Sequence, residues 1–218
     1  MARPKLTLFL DVISPFAYMA FYVTKNSPIF KQCDVTYIPI FLGGVMKACG
    51  NTPPIEIKNK GAWIALERNR WAKHFHIPMA AASPEPFPQL TLHTMRALCA
   101  VCLLCPDRLT DCFSALYEAF WIERATISKP DVFGPVLADV LGEALAKQVL
   151  EKAGSAEAKK LLSGNTELAL EEGAFGLPWF AATNAQGEKA GFWGFDHLGQ
   201  VVEHLGLERT GQGFRAMM

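Results

Sequence analysis

The sequence predicts an α/β protein in which strand-forming segments near the two ends of the chain enclose a long helical region. Three observations support this prediction. Strand patterns occur at residues 5–12 and 34–41, with one helical segment between them. From residue 61, roughly 100 residues show only helical periodicity, which is enough for a domain. Strand signals return only after Gly173, so the order is βαβ, helices, ββα.

The first strand and helix are specified by local chemistry. Residues 6–10 alternate leucine with Thr7 and Phe9, as in a strand with a buried face. Ser14 is then a favoured N-cap, because its hydroxyl can accept a hydrogen bond from the first helical turn. Pro15 suits the first helical position, where no amide hydrogen is needed. The helix that runs to about Lys25 is apolar on nearly every face, so we expect it to be buried.

A second strand is predicted over residues 34–41, which are rich in β-branched and aromatic side chains. Pro39 indicates a strand end or a sheet edge at that point. The pair Gly43-Gly44 is expected to break the chain before a short helix around residues 45–48. Residues 50–54, which contain two prolines, are a predicted loop.

The middle of the chain is predicted to be helical, apart from a proline-rich loop at 77–88. Apolar residues at helical spacing predict helices around 63–75, 92–103, 109–120, 132–141, 144–150 and 155–172. Removing this region leaves βαβ followed by ββα, which is the thioredoxin arrangement. We therefore assign residues 1–60 and 170–218 to a thioredoxin-like domain and residues 61–169 to a helical insert domain.

The last part of the chain is predicted to form a hairpin and a helix. Strands over 179–183 and 188–193 flank a turn at residues 184–187. Asp196 is expected to cap a final helix over 197–205, which Gly206 would end.

The composition excludes several classes of partner. The chain carries 21 basic and 21 acidic residues and no basic run, so nucleic acid and anionic membrane are not expected partners. No apolar run approaches the roughly 20 residues that span a bilayer. The N-terminus leads directly into the first strand, which leaves no room for a targeting signal. The expected location is cytoplasmic, and a mitochondrial or peroxisomal one stays open.

The cysteines do not form a redox or metal motif. A redox thioredoxin would carry Cys-x-x-Cys where the first strand meets its helix, but this chain has Ser14-Pro-Phe-Ala17. Cys99, Cys102 and Cys105 lie inside a helical pattern with aliphatic neighbours, where cysteine acts as a small core residue. The five histidines are scattered, so no metal site is predicted.

Three features could instead bind an acidic or peptide-like ligand. Ser14 stands at a helix N-terminus, which favours anions, including thiolates. A cis bond between Leu177 and Pro178 would leave the Leu177 amide and carbonyl free to pair with a peptide. Asp196 lies at the predicted start of the last helix, where free amides could bind a carboxylate.

Taken together, these motifs resemble one family over nearly the whole chain. The sequence is similar to the kappa class of glutathione transferases and to the bacterial 2-hydroxychromene-2-carboxylate isomerases, both of the DsbA-like thioredoxin superfamily with a helical insert. The matching segments are Asp11-x-x-Ser14-Pro15-x-x-Tyr18, Gly43-Gly-Val-Met-Lys47, Gly50-Asn51-x-Pro53-Pro54, Lys60-Gly61, residues 173–178 and Phe192-Trp-Gly-x-Asp196.

The resemblance implies a transferase that activates glutathione, its co-substrate, for attack on hydrophobic electrophiles. Ser14 would hydrogen-bond the sulfur, and Asn51 and Lys60 would contact the glycine end of the tripeptide. Leu177, in front of Pro178, would pair with the cysteinyl backbone. A homodimer without a metal is the implied assembly. The site residues implied for the γ-glutamyl end are Phe195 and Asp196.

One position departs from the family pattern. The family usually carries serine or asparagine before the aspartate and arginine after it, whereas this chain has Phe195 and His197. The side-chain contact to the γ-glutamyl carboxylate is therefore lost, although the amides of Phe195 and Asp196 remain. Three functions stay open: a transferase, a glutathione-dependent isomerase of a chromene carboxylate, and a non-catalytic binder in which Phe195 blocks glutathione and the fold serves protein interaction. The aromatic residues Trp63, Trp71, Phe120 and Trp121 are candidates for an apolar half-site and are not assigned to it.

Overall fold

The computed structural model describes residues 2–209, which contain a four-stranded mixed sheet. Its strands are β1 (Lys5–Leu10), β2 (Asp34–Pro39), β3 (Trp179–Thr183) and β4 (Lys189–Trp193), in the order β2-β1-β3-β4. β1 is parallel to β2 and antiparallel to β3, and β3 is antiparallel to β4. The predicted α/β class and the βαβ–ββα order around a helical segment are confirmed.

Nine α-helices occur within residues 2–209, six of them between Lys60 and Glu171. They are α1 (Pro15–Asn26), α2 (Leu42–Ala48), α3 (Lys60–His74), α4 (Leu92–Leu104), α5 (Leu109–Trp121), α6 (Pro130–Leu141), α7 (Glu143–Ala153), α8 (Ala156–Glu171) and α9 (Leu198–His204). Short 3₁₀ turns at Pro28–Gln32, Pro54–Glu56, Pro106–Arg108 and Phe195–His197 complete the described chain. No described helix is long and apolar enough to cross a membrane.

The sheet and the helical region share a continuous apolar core. Leu8 of β1 is opposite Phe180 of β3, and both are fully buried. α1 packs on β1 and α9 packs on β3, while α4 and α8 contact β2. α4 is also at the centre of the helical region, because it contacts α5, α6, α7 and α8. We retain residues 61–169 as the proposed insert, with the remainder as the thioredoxin-like domain.

The second helix differs from the prediction. α2 begins at Leu42 and includes both glycines that were expected to precede it. The reason is a distant side chain, because the Asp11 carboxylate accepts a hydrogen bond from the Leu42 amide at 2.9 Å. A Cβ atom at Gly43 would lie 2.8 Å from the ring of Phe41, so a larger residue there would require that ring to move.

The prediction that Asp196 caps the last helix is wrong. α9 begins at Leu198, and no side chain caps the 3₁₀ turn that precedes it. Gly194, with φ of 93°, turns the chain, and its carbonyl accepts a hydrogen bond from the His197 amide. Backbone groups therefore take the role expected of the carboxylate. Gly206, with φ of 65°, follows the helix as predicted.

Candidate functional site

Ser14 occupies the N-cap of α1 in the conformation that the sequence predicts. Its backbone is extended, and its Oγ accepts a hydrogen bond from the Ala17 amide at 3.2 Å. The side chain is almost entirely buried. Because a hydroxyl that accepts a bond keeps its own proton, Ser14 can still donate to a ligand at this helix end.

Two residues of the insert fix the turn that carries Ser14. The Trp121 indole donates from Nε1 to the Val12 carbonyl at 3.0 Å, and the Tyr117 hydroxyl donates to the Asp11 carbonyl at 3.4 Å. Both side chains are buried. The Ser14 amide also donates to the Asp11 carbonyl at 3.2 Å. The turn is therefore held by hydrogen bonds from the insert and by one of its own backbone hydrogen bonds.

The aromatic candidates divide into two groups. Phe120 and Trp121 belong to the core, with exposures of 0% and 1%. Trp71 is half-buried, whereas 56% of Trp63 is exposed. The Phe120 and Trp121 rings therefore serve packing, whereas the Trp63 ring is at the surface.

Asp11 has a role that sequence reasoning missed. Its carboxylate is fully buried and accepts hydrogen bonds from Ile13, Leu42 and Thr91. Burial raises the pKa of this carboxyl to about 6, against the lowering effect of those donors. Asp11 is predicted from the sequence as the end of a buried strand and as the first residue of a motif, without a role for its carboxylate. A carboxylate in such an apolar run is the signal that could have identified it.

The Leu177–Pro178 bond is cis, as the sequence predicts. The amide and carbonyl of Leu177 have no hydrogen-bond partner within residues 2–209. The Pro178 carbonyl accepts a hydrogen bond from the Gly194 amide at 3.0 Å. This bond brings the cis-proline segment next to the turn that carries Phe195 and Asp196.

Asn51 is joined to the same region by a hydrogen bond, whereas no described hydrogen bond joins Lys60 to it. The Asn51 amide donates from Nδ2 to the Phe175 carbonyl at 2.8 Å, just before the cis proline. Lys60 is the first residue of α3, and its exposed ammonium makes no hydrogen bond or ion pair within the described chain. Its placement against a ligand stays a prediction.

The Phe195 side chain points into the core. It is 1% exposed, and its ring centroid lies 5.8 Å from that of Trp71 and 5.2 Å from that of Phe75. Trp71 is on α3 and Phe75 directly follows that helix, so the ring anchors this turn to the insert. Asp196 is exposed, and its carboxylate lies 3.4 Å from His197 Nδ1. In the part of the chain described, the Phe195 and Asp196 amides have no acceptor.

The cysteines are core residues or surface thiols. Burial raises the pKa of Cys102 to about 11 and that of Cys112 to about 12. Cys99 is fully buried, and its pKa is also raised by burial. Residues 2–209 contain no group of three or more His, Cys, Asp or Glu side chains that could hold a metal ion.

Comparison with known proteins identifies relatives over almost the whole chain. Residues 5–206 match the family model of the DSBA-like thioredoxin domain. Glutathione S-transferase kappa 1 of Caenorhabditis elegans is 28% identical over 209 residues, which cover 93% of this chain and 91% of that protein. The Homo sapiens protein of the same name is 28% identical over 204 residues, with coverage of 91% and 88%.

A solved structure has the same fold. The 2-hydroxychromene-2-carboxylate isomerase structure has a TM-score of 0.74 and 20% sequence identity, and the match covers 93% of this chain and 94% of that one. The family relationship predicted from the motifs is confirmed. The chain belongs to the DSBA-like thioredoxin domain family.

Proposed function

We propose that this protein is a glutathione transferase of the kappa class, which activates the glutathione thiol for attack on hydrophobic electrophiles. The observation that carries the proposal is Ser14, a buried N-cap whose hydroxyl accepts from Ala17 and keeps a proton for the sulfur. The two kappa-class relatives, which align over nearly their whole length, support it. No basic side chain hydrogen-bonds Ser14 within residues 2–209, so Ser14 acts as a donor and not as a nucleophile.

The energetics require both the helix and the hydroxyl. A thiol with a pKa of ~8.5 must lose about 2 units to be mostly thiolate at neutral pH, which needs roughly 2.7 kcal/mol. A helix N-terminus supplies about 0.3–1 kcal/mol, or up to ~2 when it is partly buried. A hydrogen bond to a charged acceptor adds roughly 1.5–3 kcal/mol. The dipole alone is marginal, whereas dipole and Ser14 together suffice.

The proposed placement of glutathione follows from the backbone groups that have no partner in the described chain. The unpaired amide and carbonyl of Leu177 would bind the cysteinyl residue as an added strand. The free amides of Phe195 and Asp196 would receive the γ-glutamyl carboxylate, and the exposed Asp196 carboxylate its ammonium. Asn51 and Lys60 would hold the glycine end.

Phe195 bears on how tightly glutathione binds. The structure turns its ring into the core, so it cannot supply the polar contact that relatives make at this position. The ring is buried, whereas the amides of Phe195 and Asp196 have no acceptor within residues 2–209. Glutathione should therefore bind through backbone amides at this end, more weakly than in a serine-bearing relative.

Two other functions are kept as alternatives. The isomerase structure shares this fold, which favours a glutathione-dependent isomerisation of an aromatic carboxylate as the second candidate. The substitution at Phe195 favours a non-catalytic binder as the third. Both differ from a transferase in a direct assay, because neither would conjugate glutathione to chlorodinitrobenzene.

A homodimer is part of the proposal. Ile55, Ile57, Trp63 and Leu66 have exposures of 44%, 41%, 56% and 47%, and they lie at the start of α3 and on the 3₁₀ turn that packs against it. An exposed apolar patch of this kind suits a subunit interface. Light scattering of the wild type and Trp63→Glu tests it: the wild type should be dimeric and the variant monomeric.

The compartment is also proposed from chemistry. All six cysteines are free thiols. Free thiols in this number suit a reducing compartment such as the cytoplasm.

The test of the function is glutathione binding followed by turnover. Bound glutathione should raise the melting temperature in proportion to RT ln(1+[L]/Kd). The protein should then conjugate glutathione to chlorodinitrobenzene. Binding without conjugation would favour the isomerase, whereas no shift at millimolar glutathione would contradict the transferase and the isomerase and favour the non-catalytic binder.

A further inference from the structure

The buried Asp11 carboxylate connects three separate parts of the chain. Its Oδ1 accepts from the Ile13 amide at 3.2 Å and from the Thr91 hydroxyl at 2.8 Å. Its Oδ2 accepts from the Leu42 amide at 2.9 Å. These donors belong to the turn before Ser14, to the residue before α4, and to the start of α2. Asp11 is fully buried, so its carboxylate is satisfied by these protein groups and not by solvent.

We propose that Asp11 is a positioning residue for the glutathione site, which in its ionised form holds the Ser14 turn, the start of α2 and the Thr91 segment in one arrangement. The inference rests on the proposed function, because glutathione is taken as the ligand. α2 ends at Ala48, shortly before Asn51. The carboxylate therefore helps to fix both the turn that carries Ser14, at the thiol end of the ligand, and the segment that leads to Asn51, at its glycine end. It contacts neither ligand nor reacting atoms itself.

The surroundings of Asp11 make its charge sensitive to pH. The three donors are neutral groups, and no lysine, arginine or histidine bonds to the carboxylate within residues 2–209. The titratable group that faces it is Tyr117 on α5, whose pKa burial raises well above its ordinary value, so it stays neutral. Burial raises the pKa of Asp11 to about 6. The three hydrogen bonds favour the ionised form, and a protonated carboxyl accepts them less well. These bonds should therefore be intact at pH 7.5 and weaken in mildly acidic solution, although the proton itself favours the folded state.

The structure offers a matched pair of threonines for the test. Thr91 donates its hydroxyl to Asp11, and its loss removes a bond that favours the charged form. Thr94 is equally buried, but it donates to the Ile127 carbonyl. Replacing either by valine deletes one buried hydroxyl, and only Thr91→Val touches the carboxylate.

The experiment is calorimetric titration with S-methylglutathione, a thioether without an ionisable sulfur, between pH 5 and pH 8. The wild type should bind with constant affinity near pH 7.5 and lose about tenfold as the pH falls below about 6. Asp11→Asn should bind about tenfold more weakly at every pH, without that dependence. Thr91→Val should move the midpoint to higher pH, and Thr94→Val should titrate like the wild type.

The outcomes separate the inference from the function on which it rests. A wild type that binds no S-methylglutathione at any pH overturns the proposed function, and the inference with it. A wild type that binds while Thr91→Val keeps the wild-type midpoint overturns the inference alone. The same follows if folded Asp11→Asn retains the pH dependence, since the titrating group would then lie elsewhere. Because Thr91→Val keeps the carboxylate, the test stands even if Asp11→Asn does not fold.

Discussion

The Ser14 turn and the surface that carries Asn51, Lys60 and Asp196 differ in how firmly the protein holds them. At the thiol end, Ser14 and Asp11 are buried, and Trp121 and Tyr117 donate to the backbone of the turn. At the peptide end, Asn51, Lys60 and Asp196 are all exposed.

This difference separates two kinds of effect. Changes at the thiol end should alter the folded state and the chemistry together, since the same hydrogen bonds serve both. Changes at the peptide end should alter glutathione affinity with little effect on stability, because exposed polar side chains contribute little to folding. Phe195 is the exception, because it lies beside Asp196 and yet belongs to the core.

The largest effect is expected at Phe195. Phe195→Ala should destabilise the protein by about 3–5 kcal/mol, because it removes a fully buried ring from its contacts with Trp71 and Phe75. Denaturant unfolding measures the loss, with Phe175→Ala, whose ring is 40% exposed, as a milder control.

For the same reason, Phe195→Ser should not be a simple gain in affinity. Any tighter glutathione binding would come with a much lower melting temperature. A loss below about 1 kcal/mol in Phe195→Ala would show that the ring contributes little to the core and is free to face the ligand.

The second-largest effect is expected in the pH dependence of stability, through Asp11 at the thiol end. The folded pKa of Asp11 is about 6 and its ordinary value is 3.8, so folding favours the protonated form. The stabilisation from this proton is fully present below about pH 4 and is lost as the pH rises through about 6, up to roughly 3 kcal/mol in total. The free energy of unfolding of the wild type should therefore fall relative to that of Asp11→Asn between pH 4 and pH 7. Parallel curves for the two proteins would contradict this.

Ser14→Ala should affect stability and chemistry together. Loss of the cap should cost about 0.5–2 kcal/mol, and the pKa of bound glutathione should rise by about 1–2 units. The ultraviolet absorbance of the thiolate against pH measures the second effect. Ser155→Ala is a matched control, because Ser155 caps α8 by the same 3.2 Å bond, from Ala158. Ser155→Ala should lower stability and leave the thiol unchanged; equal thiol titration in wild type and Ser14→Ala would mean that Ser14 only caps.

The smallest effect is expected at Lys60. Lys60→Ala should weaken glutathione binding by about 1.4- to 5-fold, the range of an exposed ion pair, with no change in melting temperature. The difference should shrink at high salt, because exposed charges are screened. Lys58→Ala, exposed in the preceding loop, should change neither quantity. An equal loss in both variants would indicate a general effect of charge.

Where the sequence predicts correctly, the determinants are close together along the chain. Ser14 and Pro15 start α1 by chemistry that is complete within one turn. The hairpin between β3 and β4 and the cis bond before Pro178 also follow from short segments.

Where the prediction fails, the partner is distant. Asp11 bonds to Leu42 and Thr91, which are 31 and 80 positions further along. The partners of Phe195 lie on α3 and directly after it, more than 100 positions earlier, so no local pattern shows that its ring is buried. At Asp196, the backbone of Gly194 already satisfies the turn, and a capping carboxylate is not needed. Tertiary contacts of this kind leave no periodic signal in the sequence.

The bonds from Trp121 and Tyr117 to the Ser14 turn limit how the helical region can change during evolution. Helices that are inserted between two strands are often regarded as exchangeable modules that bring new specificities to an old sheet. Here, α5 supplies two of the hydrogen bonds that shape the turn beneath Ser14. A graft of another protein's helices onto this sheet would have to keep an indole and a phenol at these two positions. The exposed residues of the insert can therefore vary freely, whereas the α5 residues that bond to the Ser14 turn have to be kept together with the sheet.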